Sequence, residues 1–298
     1  MTEVRSRWLL TALVLSVMAL PGAALGYEPE RHQRLTFFAA KALNRCLDDT
    51  GVAHLTPLQV RFIANSNMGL ADSNALVRFF RWSYFDPARD DDRSFLWLIN
   101  TRFIDHFEEL TGNVRQAADA AERYEELGRI VSYVQLVSSP PRALPVYTGR
   151  FWRWSFRDRF DDYRVDPAAL ERAVEAAACD FLAPPPESFQ RILADVAADT
   201  LRAVRSPIGG LPTTWEAFWV PDEDPGEFGE YGPAGNNFGR RVEFPCRSGD
   251  AARCVLLKDD PLYEEFALAR QLAAVRGTAR AMYLHQLEFA QAPAASAD

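Results

Sequence analysis

Histidine and cysteine are scarce, with four of each in 298 residues: His32, His54, His106 and His285, and Cys46, Cys179, Cys246 and Cys254. Imidazole and thiolate are the side chains zinc prefers, so this shortage caps the transition-metal chemistry the chain can support. No CxxC and no Cys/His pair has zinc-finger spacing, which argues against a structural zinc. Lysine is nearly missing, with only Lys41 and Lys258 among 33 basic residues. Codon usage in a GC-rich genome accounts for an Ala- and Arg-heavy chain more simply than selection for phosphate-gripping guanidiniums. There is no P-loop, no dinucleotide fingerprint and no GxSxG elbow, and nothing local supports Ser/His/Asp catalysis.

A long hydrophobic run is also missing. The longest apolar stretch, Trp8–Leu20, falls short of the roughly 20 residues a membrane-spanning helix needs. With Arg5 and Arg7 before it and Ala24-Leu25-Gly26 after it, residues 1–26 read as a cleaved secretory signal, so a secreted or periplasmic protein is expected to begin at Tyr27. The alternative is an uncleaved anchor. Removing Arg5, Arg7 and Glu3 takes the formal charge from −8 to −9. Such a chain has no bulk attraction to nucleic acid or anionic lipid, although a local basic groove is still allowed. The expectation is neither a nucleic-acid binder nor an integral membrane protein.

Helical periodicity dominates what is present. Leu35, Phe38, Ala42 and Cys46 form one stripe, and Leu127, Val131 and Val134 a second. Leu170, Val174, Ala178 and Phe181 form a third, and Phe189, Leu193, Val196 and Leu201 a fourth. Leu268, Leu272, Val275, Ala279 and Met282 form a last one near the C-terminus. Thr56-Pro57 and Ser206-Pro207 are natural helix boundaries. With no run of strands and no internal repeat, the expectation is an all-α, multi-helix single domain over residues 27–291. Residues 292–298 are expected to be a disordered tail.

Residues 206–258 break the pattern, holding eight of the 16 glycines and six of the 19 prolines. They are expected to form a long irregular excursion with a small hairpin around Arg240–Phe244. It reads equally as a lid or rim over a site and as a surface cover. Four cysteines in an exported chain allow three disulfide connectivities. Cys246 and Cys254 flank a short polar loop and are the natural local pair, so Cys46 and Cys179 would join two helices far apart in sequence.

The segment Leu127-Gly128-Arg129-Ile130-Val131-Ser132-Tyr133-Val134-Gln135-Leu136, continuing to Pro140-Pro141-Arg142-Ala143, resembles a stretch of the zinc-dependent phospholipase C and S1/P1 nuclease superfamily. That stretch reads like LGxxxHYxQDxxxPxHA. The Leu-Gly, the Tyr-x-Gln pair, the proline and the alanine match, whereas Ser132, Leu136 and Arg142 stand where the family has metal ligands. Tyr27 and His32 sit where the family's N-terminal aromatic residue and first histidine would be. Ala64-Asn65-Ser66-Asn67 leading to Asp72 looks similar to its Asn-containing turn and aspartate, and Asp161 to a later acid. Ser83 takes the place of a histidine in Arg81-Trp82-Ser83-Tyr84-Phe85-Asp86-Pro87. Another histidine position falls on Thr148 or Arg157, depending on register. The resemblance runs from Tyr27 to at least Asp161 and implies a helical domain with a metal cleft between helices.

The departures bear directly on that cleft. Leucine offers no ligand where a carboxylate must bridge cations, and a guanidinium at position 142 repels them. The full cluster cannot assemble from these residues. What the resemblance still implies is either no cofactor or a single zinc ion held by Tyr27, His32, Asp72 and Asp161. His32 reads equally as a surface residue near a helix start, and Asp72 as a helix cap. Arg142, or Arg157 if it faces the cleft, could grip a phosphate or anionic headgroup, with ordinary surface placement as the alternative. His54 reads as a loop residue, His106 as a structural or surface group on a helix, and His285 has no evident partner. Three functions follow as expectations. The first is a binding or interaction protein with an eroded site, toward phospholipid or another phosphate ester; the second is a phosphoesterase on a reduced metal site; the third is a helical exported protein with an unrelated role.

Overall fold

The computed structural model describes residues 29–48, 50–71, 103–144, 146, 158–221, 229–247 and 251–289. The signal and tail assignments therefore lie outside the described residues, as do Tyr27, Asp72, Ser83, Thr148 and Arg157. The described chain is predominantly helical. Its principal helices are α1 (Pro29–Leu47), α2 (Pro57–Ala71), α3 (Phe103–Gln116) and α4 (Ala120–Leu136), then the single turns α5 (Pro140–Ala143) and α6 (Arg159–Asp162). α7 (Pro167–Ala176), α8 (Phe189–Val204) and α9 (Pro261–Phe289) follow. Among the described residues no helix is long and apolar enough to cross a membrane.

Local chemistry sets the helix starts. Thr56 and Gln59 form a reciprocal capping box at α2: the Thr56 hydroxyl accepts from Gln59 N at 3.3 Å, and Gln59 Oε1 accepts from Thr56 N at 2.8 Å. Asp119 caps α4, Asp166 caps α7 ahead of Pro167, and Ser188 caps α8. The third stripe expected from the sequence does not run as one helix. α7 stops at Ala176, and Cys179–Leu182 forms a separate 3₁₀ turn. Arg45 of α1 takes up the carbonyls of Val174, Glu175 and Ala177, satisfying the end of α7. The turn then delivers Cys179 to Cys46.

Both expected disulfides are present, Cys46–Cys179 and Cys246–Cys254, a pairing that fits an oxidising compartment. The long helix α9 is buried on several sides, against α1, α4, α7 and α8. Two glycines permit the closest approaches. A Cβ on Gly128 of α4 would lie 2.3 Å from the Ile63 carbonyl oxygen of α2, and one on Gly277 of α9 would lie 2.6 Å from a Val196 methyl and 2.9 Å from a Val134 methyl. The glycine of the Leu-Gly pair thus has a packing role, letting α2 and α4 approach backbone to backbone.

Most of the described part of the excursion is irregular backbone. It carries two small antiparallel hairpins, β1 (Trp219–Val220) with β2 (Glu230–Tyr231), and β3 (Val242–Pro245) with β4 (Arg253–Leu256). The second is the hairpin expected near Arg240–Phe244. Trp215, Phe218, Trp219, Phe238 and Phe244 are all buried and pack on Phe160, Tyr263 and Phe266. Glycine and proline punctuate this stretch because it must turn repeatedly while setting its rings into the common core.

Candidate functional site

At the centre of the helices a polar seam crosses the core. Gln135 of α4 is its hub, with no exposed surface. Its Oε1 accepts from His32 Nδ1 at 2.6 Å and from Asn67 Nδ2 at 3.0 Å, and its Nε2 donates to Thr36 Oγ1 at 3.1 Å and to Thr278 Oγ1 at 3.3 Å. Thr36 also accepts from Asn67 at 2.9 Å and donates to the His32 carbonyl one turn back, at 2.9 Å. One amide therefore ties α1, α2, α4 and α9. Because Gln135 presents its oxygen, the His32 proton belongs on Nδ1 and the lone pair on Nε2. Burial lowers the His32 pKa from 6.5 to about 4; the Gln135 bond opposes this only in part, and the Arg31 and Arg142 charges add to it. At neutral pH His32 is an uncharged imidazole.

Beside this seam lies a second cluster, built on the turn after α4. Ser139 is the N-cap residue of α5, yet its hydroxyl does not cap; it donates to Asp161 Oδ1 at 2.6 Å. Pro140 needs no partner for a missing N–H, and the turn it starts swings Arg142 back, so that its Nη2 reaches Asp161 Oδ2 at 3.1 Å. Arg31 donates to the Asp161 carbonyl oxygen at 2.9 Å. Asp161 and Arg142 are nearly fully buried, with side chains 1% and 11% exposed. His32 feels the charges of both.

Asp158, one turn before Asp161, faces the aromatic excursion. Its carboxylate caps α6 through Phe160 N at 2.8 Å and accepts from Trp219 Nε1 at 3.0 Å and the Tyr231 hydroxyl at 2.7 Å. Burial, reinforced by the Asp161 charge, raises its pKa from 3.8 to about 6 despite these donors. Burial and the Asp158 carboxylate also push the Tyr231 phenol upward.

Of the residues singled out from the sequence, His32, Asp161 and Arg142 come together in one neighbourhood, and His32 is a buried core residue, not a surface one. Ser132 is buried and Leu136 half-buried, one turn apart on α4. The described residues do not fit a zinc cluster. No group of three His, Cys, Asp or Glu side chains among them could hold a metal, and both oxygens of Asp161 are committed to Ser139 and Arg142. His54 lies in a loop, 3.1 Å from Asp48, and His106 is on α3 near Glu109. His285 is buried against Tyr124 and Phe289.

Sequence reasoning missed Thr36, Thr278, Ser139 and Asp158 as members of the site. Thr36 had a signal, its position one turn after His32. Asn67 and Gln135 stood in the quoted segments, but as landmarks, not as hydrogen-bonding groups. Thr278 had no local signal, since it meets Gln135 only through tertiary packing. No family model, curated protein or solved structure matches the chain.

Proposed function

We propose that this is an exported helical protein of the phospholipase C/P1 nuclease type whose metal centre has given way to an ion pair, and that it works by binding a phosphate-bearing ligand, not by hydrolysing one. The observation that carries this reading is the buried Asp161 carboxylate, held by Arg142 at 3.1 Å and Ser139 at 2.6 Å. In the resemblance, Asp161 is a candidate ligand and Arg142 replaces one. A guanidinium supplies the positive charge a carboxylate otherwise takes from a cation, and it neither exchanges nor activates water. The two disulfides support export.

The neutral His32, with Nδ1 anchored by an amide oxygen, favours a second reading. Metal-binding histidines are held in this way, so a single zinc on a reduced site fits that residue. Metal analysis of protein purified without a histidine tag separates the two, together with turnover of bis(p-nitrophenyl) phosphate with and without chelator. Binding without catalysis predicts trace zinc and no chelator-sensitive turnover. About one zinc per chain, with activity lost on chelation and in His32→Ala, would establish the reduced-site enzyme instead.

A further inference from the structure

An acidic chain has little reason to gather arginines, yet a groove of about 570 Å³ between α8 and α9 is lined by Arg202, Arg270, Arg276 and Arg280 against only Asp195 and Asp199. The groove lies away from the Asp161 cluster. Its α9 wall includes Arg276 and Gly277, whereas Thr278, the next residue, belongs to the Gln135 seam on another face of the helix.

The two aspartates are already shared. Asp199 pairs with Arg270 at 2.9 Å and Arg202 at 3.2 Å, and Asp195 with Arg191 at 3.0 Å and Arg280 at 3.4 Å. Arg276 has no ion pair or hydrogen bond among the described residues. The Nε atoms of Arg270, Arg276 and Arg280 are buried without a partner, and the Arg270 side chain is only 9% exposed. Four guanidiniums against two carboxylates leave two positive charges in excess along the groove, and the Arg276 guanidinium, with no acceptor of its own, calls for an acceptor-rich anion. Guanidinium N–H groups match the spacing of phosphate oxygens. Phe181 and Leu272 add apolar wall, and the volume suits a small molecule.

We propose that this groove binds a phosphate monoester, its oxyanion held by Arg276 with Arg270 and Arg280, and its organic group against the apolar wall. The site is independent of whatever occupies the His32–Asp161 neighbourhood. It is tested by calorimetric titration of the full mature chain with inorganic phosphate, phenyl phosphate, a short-chain lysophosphatidic acid below its micelle concentration, and phenol as the neutral control. Phenyl phosphate should bind at one per chain, with phenol silent and affinity falling as salt rises. Inorganic phosphate binding as well as the esters would identify the free ion as the source, and preference for the lysophospholipid would identify a lipid headgroup; either supports the site. Arg276→Gln should weaken binding at least tenfold and Arg276→Lys less, because lysine keeps the charge but not the fork. Since Arg276 has no internal partner, both variants should keep the thermal midpoint of the parent. Absence of binding by every phosphate probe, binding unchanged in Arg276→Gln, or binding of phenol as tight as that of phenyl phosphate would overturn the assignment. Zinc content has no bearing on any of these outcomes, so failure here is distinct from failure of the ion-pair reading.

Discussion

The helical seam and the aromatic excursion solve one problem in opposite ways. In the seam, side-chain amides, hydroxyls and an imidazole are buried together and hydrogen-bond one another around Gln135, with the Asn67 Oδ1 left without a partner. In the excursion, tryptophan, phenylalanine and tyrosine rings pack on one another edge to face, tilted and stacked. α6 joins the two. Asp161 turns toward the helices and meets a guanidinium, whereas Asp158 turns toward the rings and meets an indole N–H and a phenol. Two carboxylates one turn apart thus occupy different surroundings, and burial, with the Asp161 charge adding to it, drives the one facing the rings toward its neutral form. For Asp158, burial outweighs the three donors that surround the carboxylate.

The disulfides give the largest way to break this contrast. Cys46–Cys179 closes a loop with a sequence separation of 133 residues in the helical body, and Cys246–Cys254 one of 8 in the excursion. Loop-closure entropy predicts a loss of about 5 kcal/mol for the double serine variant of the first pair and about 2.5 kcal/mol for the second. Urea denaturation of both variants should show the helical body to be the more dependent. Equal losses would mean that the two regions do not differ in this respect.

The aspartates come next. Asp161→Ala leaves Arg142 buried without its partner and should cost roughly 3–5 kcal/mol. Asp158→Ala strands Trp219 Nε1 and the Tyr231 hydroxyl and should cost about 2–3 kcal/mol, with new proteolytic cleavage confined to residues 206–258. Asp158→Asn should be much milder than Asp161→Asn, since Asp158 sits among neutral donors and Asp161 answers a positive charge. A milder Asp161→Asn would reverse the comparison.

Much of the helical half could be read from sequence, because its helices bury one face and announce it by spacing. The α2 cap was visible in Thr56-Pro57, and the third and fourth cysteines paired across a short loop. The excursion was harder. Its glycines and prolines were visible, but rings such as Trp215, Phe218 and Phe238 join the common core through contacts distant in sequence, which local spacing does not announce. The same limit applies to the site. His32, Asp161 and Arg142 stand at ligand positions of the resemblance, whereas Gln135 matches it without being a ligand, and its role as hub lies in Thr36, Asn67 and Thr278, brought together only by folding. Ser139 escaped notice because a serine before proline reads as a helix cap, and here its hydroxyl goes to Asp161 instead.

The smallest change at neutral pH is expected at His285. Its ring is packed between Tyr124 and Phe289, with centroids 4.7 and 5.0 Å away, and neither nitrogen has a hydrogen-bond partner; the nearby Gln286 amide is committed to Tyr124 and to the Ala53 carbonyl. Replacing it with an apolar ring removes two unsatisfied atoms, so His285→Phe should lie within about 1 kcal/mol of the parent at pH 7.5. Acid changes the outcome. Burial lowers the pKa of His285 from 6.5 to about 4, as it does for His32. Between pH 6.5 and 4 the unfolded chain binds protons that the folded chain refuses, so each histidine removes roughly 3 kcal/mol as pH falls through that window. Asp158 has the opposite sign: its pKa is raised from 3.8 to about 6, so the folded chain holds a proton the unfolded chain releases, and stability from this group falls as pH rises from 4 to 6. His285→Phe should therefore be more acid-tolerant than the parent, with its stability at pH 4 approaching the value at pH 6.5. Denaturant midpoints across this range would check it, and a variant with an unchanged acid limb would place the proton-refusing group elsewhere.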